Sequence, residues 1–244
     1  KLSKDFREQL INKRIKQIDR FSKYLIFIFT DNSYCVIHLG MSGTIHLSRS
    51  KLNKKFTNTS FYHSPHLPKR HNHVEMKFKD LILIYNDPRR FGYILFFKNR
   101  DELIQKFKNY GPEPFSKKFN LKYIQSYFKN KNKNIKNYLL DQKFVSGIGN
   151  IYASEILFEA KINPVKQVNF LSVYQINQII KNSKKVLKKS IFKGGSSIRD
   201  FKNITGGKGL YQNEFKVYDR ENLNCLRKYC KGTIKKIVIS NRSS

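Results

Sequence analysis

The sequence predicts an α+β chain made of two unlike halves: a β-sandwich or barrel-like half, then a helical one. Three observations carry this. Apolar runs of strand length, separated by turn residues, fill much of residues 24–97. The rigid connector Tyr110-Gly111-Pro112-Glu113-Pro114 then interrupts the chain. Beyond it, apolar residues recur at helical spacing as far as Phe192. The corresponding domain boundaries are 1–110, 111–200 and 201–244.

Residues 5–18 read as a helix, or a helix leading into a strand. Strands follow at 24–29, 34–38 and 43–47, the first two joined by the turn Asp31-Asn32-Ser33. Residues 49–68 are polar, dotted with aromatics, and expected to form an exposed loop. Strands resume at 73–78, 81–85 and 93–97, with Lys79-Asp80 as a hairpin turn. Helices are expected at 121–128, 135–141, 150–160 and 171–192. The last sets Val173, Ile176, Ile179, Ile180, Val186 and Leu187 on one face with lysines opposite, and Gly194-Gly195 closes it. Residues 129–136 read as a solvated Lys/Asn-rich loop. From residue 201 the chain is short-stranded and loop-rich. There is no internal repeat.

Lysine and arginine number 49 against 17 acidic residues, a net charge of +32, and the pI is about 10.1. Such an excess favours a polyanionic partner. The plainer source is codon bias, since the chain is also rich in Asn, Ile and Phe. No apolar run reaches the ~18 residues of a membrane span, and residues 1–10 do not resemble a signal peptide. Three cysteines make no disulfide framework, so a reducing cytoplasm is expected. Initiator methionine is normally trimmed only before a small residue. Lys1 is therefore not the expected natural terminus, and the chain is expected to be a piece of a longer protein.

Five segments carry chemistry. Between two helical patterns, residues 141–150 hold two glycines and an asparagine. Asn150 is expected as the N-cap of the next helix, and the amides of such a turn suit an anion. His38-Leu39-Gly40-Met41-Ser42-Gly43 turns tightly and pushes Met41 out, either as a wedge into a base stack or as a core plug. Asn86-Asp87-Pro88-Arg89-Arg90-Phe91-Gly92 lies between apolar strands. Its arginines can fork onto a phosphate or base edge and Phe91 can fill the gap left by an extruded base; the alternative is a surface turn with a buried Phe anchor. Gly194-Gly195-Ser196-Ser197 with Ile198-Arg199-Asp200-Phe201 is a helix C-cap or a phosphate ligand. Cys225 and Cys230 offer two thiolates, with no histidine downstream, and cannot complete a tetrahedral site alone. Lys23, in Phe21-Ser22-Lys23-Tyr24, would by itself be a solvated charge.

In this order, these segments resemble the bacterial formamidopyrimidine-DNA glycosylase family, over about residues 21–244. The motifs His-Leu-Gly-Met-Ser-Gly, Asp-Pro-Arg-Arg-Phe-Gly, Gly-Pro-Glu-Pro, Gly-Ile-Gly-Asn-Ile-Tyr-Ala-Ser-Glu and Gly-Gly-Ser-Ser-Ile-Arg-Asp-Phe all appear. The resemblance implies an N-terminal β-sandwich, a C-terminal helix–two-turn–helix domain and a β-hairpin zinc finger. It implies base-excision repair of oxidised purines (8-oxoguanine and formamidopyrimidines) with apurinic/apyrimidinic lyase strand cleavage. Lys23 resembles the lysine that contacts phosphate beside the lesion. Met41, Arg89 and Phe91 resemble the triad that fills the void of the flipped nucleotide, Arg89 facing the orphaned base. That triad favours this branch over endonuclease VIII-type enzymes. Arg90 would help hold the backbone, Asn150 resembles the phosphate-binding asparagine of the two-turn motif, and Arg242 the finger arginine. Glu155 is expected to hold its turn from the helix.

The departures lie at the ends. The family's nucleophile is an N-terminal proline followed by glutamate, which this sequence does not show. The first finger pair has four intervening residues instead of two, and the second pair would lie past Ser244. Cys225 and Cys230 are thus expected as part of one structural Zn2+ site in a complete protein. The expected partner is double-stranded DNA with oxidised bases, bound by a monomer in the bacterial cytoplasm at the nucleoid. A non-catalytic binder of damaged or abasic DNA is the runner-up, and an RNA-associated basic protein a third reading that rests on charge alone.

Overall fold

The chain is described here by a computed structural model covering residue 2 and residues 5–49, 69–196 and 209–244. Residues 50–68 of the loop expected at 49–68, and residues 197–201 of the glycine-serine motif, lie outside the described residues, while Arg49 ends a strand. The described residues form two compact units. One takes the chain up to Lys108 together with 194–196 and 209–212; the other takes 109–193 and 213–244.

In the first unit a short helix α1 (Phe6–Leu10) precedes seven strands: β1 (Ile15–Phe21), β2 (Tyr24–Phe29), β3 (Tyr34–His38), β4 (Thr44–Arg49), β5 (Asn72–Lys77), β6 (Leu81–Asn86) and β7 (Tyr93–Phe97). They make two antiparallel sheets, ordered β1-β2-β3-β7 and β4-β6-β5. Phe27, Phe29, Cys35, Ile37 and Ile94 of the first sheet share one core with Val74, Leu83 and Tyr85 of the second, so the pair is a sandwich. Burial pushes the Cys35 thiol up to about 12, which leaves it an inert core residue. The turn at Asp31 closes locally: its carboxylate accepts from the Ser33 amide (3.1 Å) and hydroxyl (2.6 Å) and pairs with Lys13. The Lys13 bond is the main reason its pKa falls to about 2.

A helix that the sequence reading did not anticipate, α2 (Arg100–Phe107), follows β7. Its start is specified by Asn99, whose side chain accepts from the Glu102 amide at 3.0 Å, while the Glu102 carboxylate accepts from Lys98 N–H at 2.8 Å.

The second unit holds α3 (Leu121–Phe128), α4 (Ile135–Leu140), α5 (Asn150–Glu159), α6 (Val173–Phe192) and a hairpin of β8 (Val238–Ile239) and β9 (Arg242–Ser243). Asn120, Asn134 and Ser172 cap α3, α4 and α6 through their side chains, Ser172 in a full capping box with Gln175. Ile124, Ile135, Leu139, Phe144, Ile148, Ile156 and Ile179 have no exposed surface and form the core. Helix α6 buries Ile176, Ile179 and Val186, but Val173 of the expected stripe is 50% exposed because it is the first helical residue. Gly194 and Gly195 both take positive φ, 72° and 84°, and stop the helix.

Two sequence expectations are corrected. Asn150 is not an N-cap; Gly149 takes the extended cap conformation and Asn150 is the first helical residue, which frees its side chain for another partner. Residues 129–136 are not all solvated, since Lys136 has no exposed surface.

Candidate nucleic-acid interface

The sheet unit displays its candidate residues on two loops that abut. The β3–β4 turn carries Met41, and the β6–β7 loop carries Arg89, Arg90 and Phe91. Their approach is close enough that a Cβ on Gly40 (φ 65°) would lie 2.7 Å from the Gly92 amide nitrogen. A buried carboxylate locks the two together. Asp87 has no exposed surface. It accepts from Ser42 Oγ (2.5 Å) in the other loop, and from Tyr85 OH (2.9 Å) and Gly92 N–H (2.8 Å). Ser42 Oγ in turn accepts from the Arg89 amide at 3.2 Å. Burial alone would raise the Asp87 pKa. The donors from Ser42, Gly92, Tyr85 and Arg89 outweigh it and hold the carboxyl below the usual range.

On that rigid base the tips stand in solvent. Met41 is 61% and Phe91 55% exposed, which rules out a core plug at Met41 and a buried anchor at Phe91. The Arg89 guanidinium lies over the Phe91 ring, 4.7 Å from its centroid. Arg90 is exposed and holds a positive φ of 58°, a conformation costly for a non-glycine residue and concentrated at functional sites.

Lys23 sits in the two-residue turn between β1 and β2, which the pair Phe21 and Tyr24 closes, and is exposed. Its charge reaches His38, the residue that opens the Met41 turn. The His38 pKa is lowered first by burial, then by Lys23 and Lys106. His38 is fixed between Tyr93, stacked at 5.2 Å, and the Gly40 amide, which donates to its Nδ1 at 3.1 Å.

In the helical unit the loop between α4 and α5 is closed by Gln142, which accepts from Gly147 N–H at 2.8 Å and donates to the Ile148 carbonyl at 3.1 Å. The Gly-Pro-Glu-Pro connector is pinned to the same loop: Gly111 N–H donates to the Gln142 carbonyl at 2.8 Å. At the loop's end Asn150 Nδ2 donates to the Ser243 carbonyl at 3.0 Å. Its Oδ1 is buried with no hydrogen-bond partner among the described residues. Asn150 and the Arg242 hairpin are therefore neighbours.

Sequence reasoning missed the residue that anchors that hairpin. Lys136 Nζ donates to Ser154 Oγ (3.1 Å), to the Ser243 carbonyl (3.1 Å) and to Ser244 Oγ. Burial, then the nearby Arg242 charge, lowers its pKa to about 8. Ser240 Oγ adds a bond to Asn137 Oδ1 at 2.9 Å. Arg242 itself is exposed, just past a two-residue turn in which Ser240 and Asn241 both take positive φ. Glu155 also holds more than its own helix. It is 1% exposed and accepts from the amides of Lys216 (2.9 Å), Val217 (3.0 Å) and Tyr218 (2.9 Å).

Cys225 and Cys230 are close enough to share a hydrogen bond. The Gly232 amide, then that bond and the Arg227 charge, lowers the Cys230 pKa. Two thiols are half of a tetrahedral set, and no group of three or more metal-binding side chains occurs among the described residues. The pair does not fit zinc by itself.

Known proteins agree with this architecture. The family model for the formamidopyrimidine-DNA glycosylase N-terminal domain matches residues 1–94, and that for the formamidopyrimidine-DNA glycosylase H2TH domain matches 110–202. The formamidopyrimidine-DNA glycosylase of Roseobacter denitrificans is 38% identical over 242 residues, 98% of this chain and 83% of that protein. The chain belongs to the formamidopyrimidine-DNA glycosylase family. The Rickettsia bellii member is likewise 38% identical, over 84% of its length. Among solved structures, Lactococcus lactis Fpg in complex with abasic-site DNA superposes with a TM-score of 0.83 at 34% identity, covering 98% of this chain and 82% of that one. MutM in complex with carbocyclic 8-oxo-G DNA gives 0.82 at 35%, covering 98% and 83%. Both halves of the family are thus represented here, the sandwich and the two-turn helical domain. No helix among the described residues is long and apolar enough to cross a membrane.

Proposed function

We propose that this chain recognises oxidised purines in duplex DNA as part of a base-excision DNA glycosylase with apurinic/apyrimidinic lyase activity. Membership of the family supports a DNA glycosylase of base-excision repair, and the solved relatives are bound to abasic-site, Fapy-dG and 8-oxo-G DNA. In this reading Met41, Arg89 and Phe91 enter the stack where the lesion has been flipped out. Lys23, Arg90, Asn150 and Arg242 hold phosphates. The parts 1–110, 111–200 and 201–244 act as sandwich, two-turn helical domain and finger, the last with a structural zinc when two further donors join Cys225 and Cys230. The protein acts as a monomer in the bacterial cytoplasm.

One observation supports this above the rest: two large apolar side chains, Met41 and Phe91, stand exposed on loops that a buried carboxylate holds rigid. Burying each between bases is worth about 1.5–3 kcal/mol. Together they match the few kcal/mol that unstacking a nucleotide costs. Rigid display means little of that gain is lost to ordering.

The test is fluorescence anisotropy on matched duplexes carrying 8-oxoguanine, an abasic analogue or no lesion. Arg89→Ala and Phe91→Ala are expected to lose more affinity on the lesion duplexes than on the undamaged one. Equal losses on all three would overturn the wedge. A second reading is a non-catalytic binder of damaged DNA, in which the exposed Met41 and Phe91 recognise the lesion without base removal. Borohydride trapping on 8-oxoguanine DNA separates the two, because only a protein that supplies an attacking amine is captured.

A further inference from the structure

Beside Arg242 the helical unit carries a hollow of about 520 Å³, walled by the α3–α4 segment, α4 and the β8–β9 turn. Tyr127, Lys131, Lys133, Tyr138 and Arg242 line it. None of the residues assigned from motifs other than Arg242 faces it. A water takes up about 30 Å³, so the hollow accommodates a sugar-phosphate unit and not only solvent.

Its lining is cationic and ordered in advance. Lys131 Nζ sits 3.3 Å from the centroid of the Tyr127 ring and 5.9 Å from that of Tyr138. The rings are themselves fixed by the core. Tyr127 packs on Phe144 at 5.0 Å and meets Tyr138 edge-on at 6.1 Å. The opposite wall is tied down by the Ser240–Asn137 hydrogen bond. Three cations, Lys131, Lys133 and Arg242, face a single carboxylate, Asp141. A long lysine normally loses much rotamer freedom when it binds a phosphate. Stacked on a tyrosine, Lys131 has already lost it.

We infer that this hollow is a phosphodiester subsite: Lys131 and Lys133 take up a backbone phosphate of the bound DNA strand next to the one gripped by Arg242. The inference rests on the proposed phosphate contact of Arg242. Because Arg242 forms part of the rim, an anion in the hollow and the anion on Arg242 belong to one continuous strand. Non-specific charge in a solvated loop would explain two lysines there. It would not explain why one of them is held against two core tyrosines at the edge of the Arg242 hollow.

The experiment is salt-dependent anisotropy on an abasic-site duplex with long flanks, and on duplexes shortened from each end in turn. Relative to wild type, the double variant Lys131→Gln/Lys133→Gln is expected to reduce the steepness of log affinity against log salt by about 0.9, the equivalent of one phosphate, and each single variant by part of that. Lys131→Arg keeps the wild-type slope. Shortening the end that reaches the hollow lowers the wild-type slope and leaves the double variant unchanged. A double variant with wild-type affinity and slope on the long duplex overturns the subsite while leaving the DNA reading intact. A wild-type chain that fails to bind the long duplex overturns the DNA reading itself. Inorganic phosphate that shifts the Tyr127 NMR signals, combined with an unchanged DNA slope in the double variant, assigns the hollow to a free anion and also overturns the proposal.

Discussion

Replacing Asp87 by alanine probes the base on which the candidate wedge stands. The substitution removes the common acceptor of Ser42 Oγ, Tyr85 OH and the Gly92 amide at a site with no exposed surface. Hydrogen bonds to a charged acceptor contribute about 1.5–3 kcal/mol each. A simple sum is an upper bound, because three carboxyl-sized atoms leave room for water to satisfy some donors. We expect a loss of about 3–5 kcal/mol, the range seen when one member of a buried charged network is removed. Asp87→Asn keeps one acceptor oxygen but turns an NH2 toward the donors, so a loss of about 1–3 kcal/mol is expected. Urea unfolding gives both numbers, and lesion binding by the surviving folded protein gives the functional consequence, since the Arg89 amide loses its anchored Ser42 partner. The folded pKa of Asp87 is depressed, so its stabilisation is complete at neutral pH. The part linked to its ionisation is lost as the pH falls below the usual value of 3.8, and the gap between wild type and Asp87→Ala narrows there. If both substitutions change stability by less than about 0.5 kcal/mol, or if the gap does not narrow in acid, the anchoring argument is wrong.

Three further predictions follow from the same structure. Lys23→Ala should weaken binding equally on lesion and undamaged duplexes and reduce the salt slope by about 0.9; an unchanged slope would exclude a phosphate contact. Glu155→Ala, which strands three amides of residues 216–218, should cost about 3 kcal/mol or more in the helical unit, whereas a urea midpoint equal to wild type would show that segment to be held by other contacts. The Lys136 pKa of about 8 lies below its usual 10.5, so between those values the unfolded chain binds more protons and stability contributed by this group rises with pH; Lys136→Met should remove that rise in urea titrations from pH 7.5 to 10, and a parallel curve would refute it.

The strands and most helices were legible because their signals are local. Continuous apolar runs of strand length such as Leu81–Asn86 and the capped apolar stripe of Val173–Phe192 state their own structure. Helix α2 was missed because its eight residues hold only Leu103, Ile104 and Phe107, too short an apolar stripe to stand out; Asn99 and Glu102 were the available signal. At the candidate site, the exposed residues could be read from motif chemistry, while their supports could not. Ser42 meets Asp87 across 45 residues, Glu155 meets Lys216 across 61, and Lys136 meets Ser243 across 107. Partners that distant leave no periodic trace. A lysine in an Asn/Lys-rich stretch looks solvated until the hairpin that buries it is in place. Asn150 was displaced by one position as a cap because Gly149 can supply the extended cap backbone without a side chain.

The proposed entry of Met41 and Phe91 into the base stack is reported directly by 2-aminopurine fluorescence. With the probe base beside an abasic site, adding the protein should brighten it as stacking is lost, and Met41→Ala with Phe91→Ala should abolish most of the rise at saturating protein. A probe that stays dark with wild type, or brightens fully with the double variant, would contradict the claim.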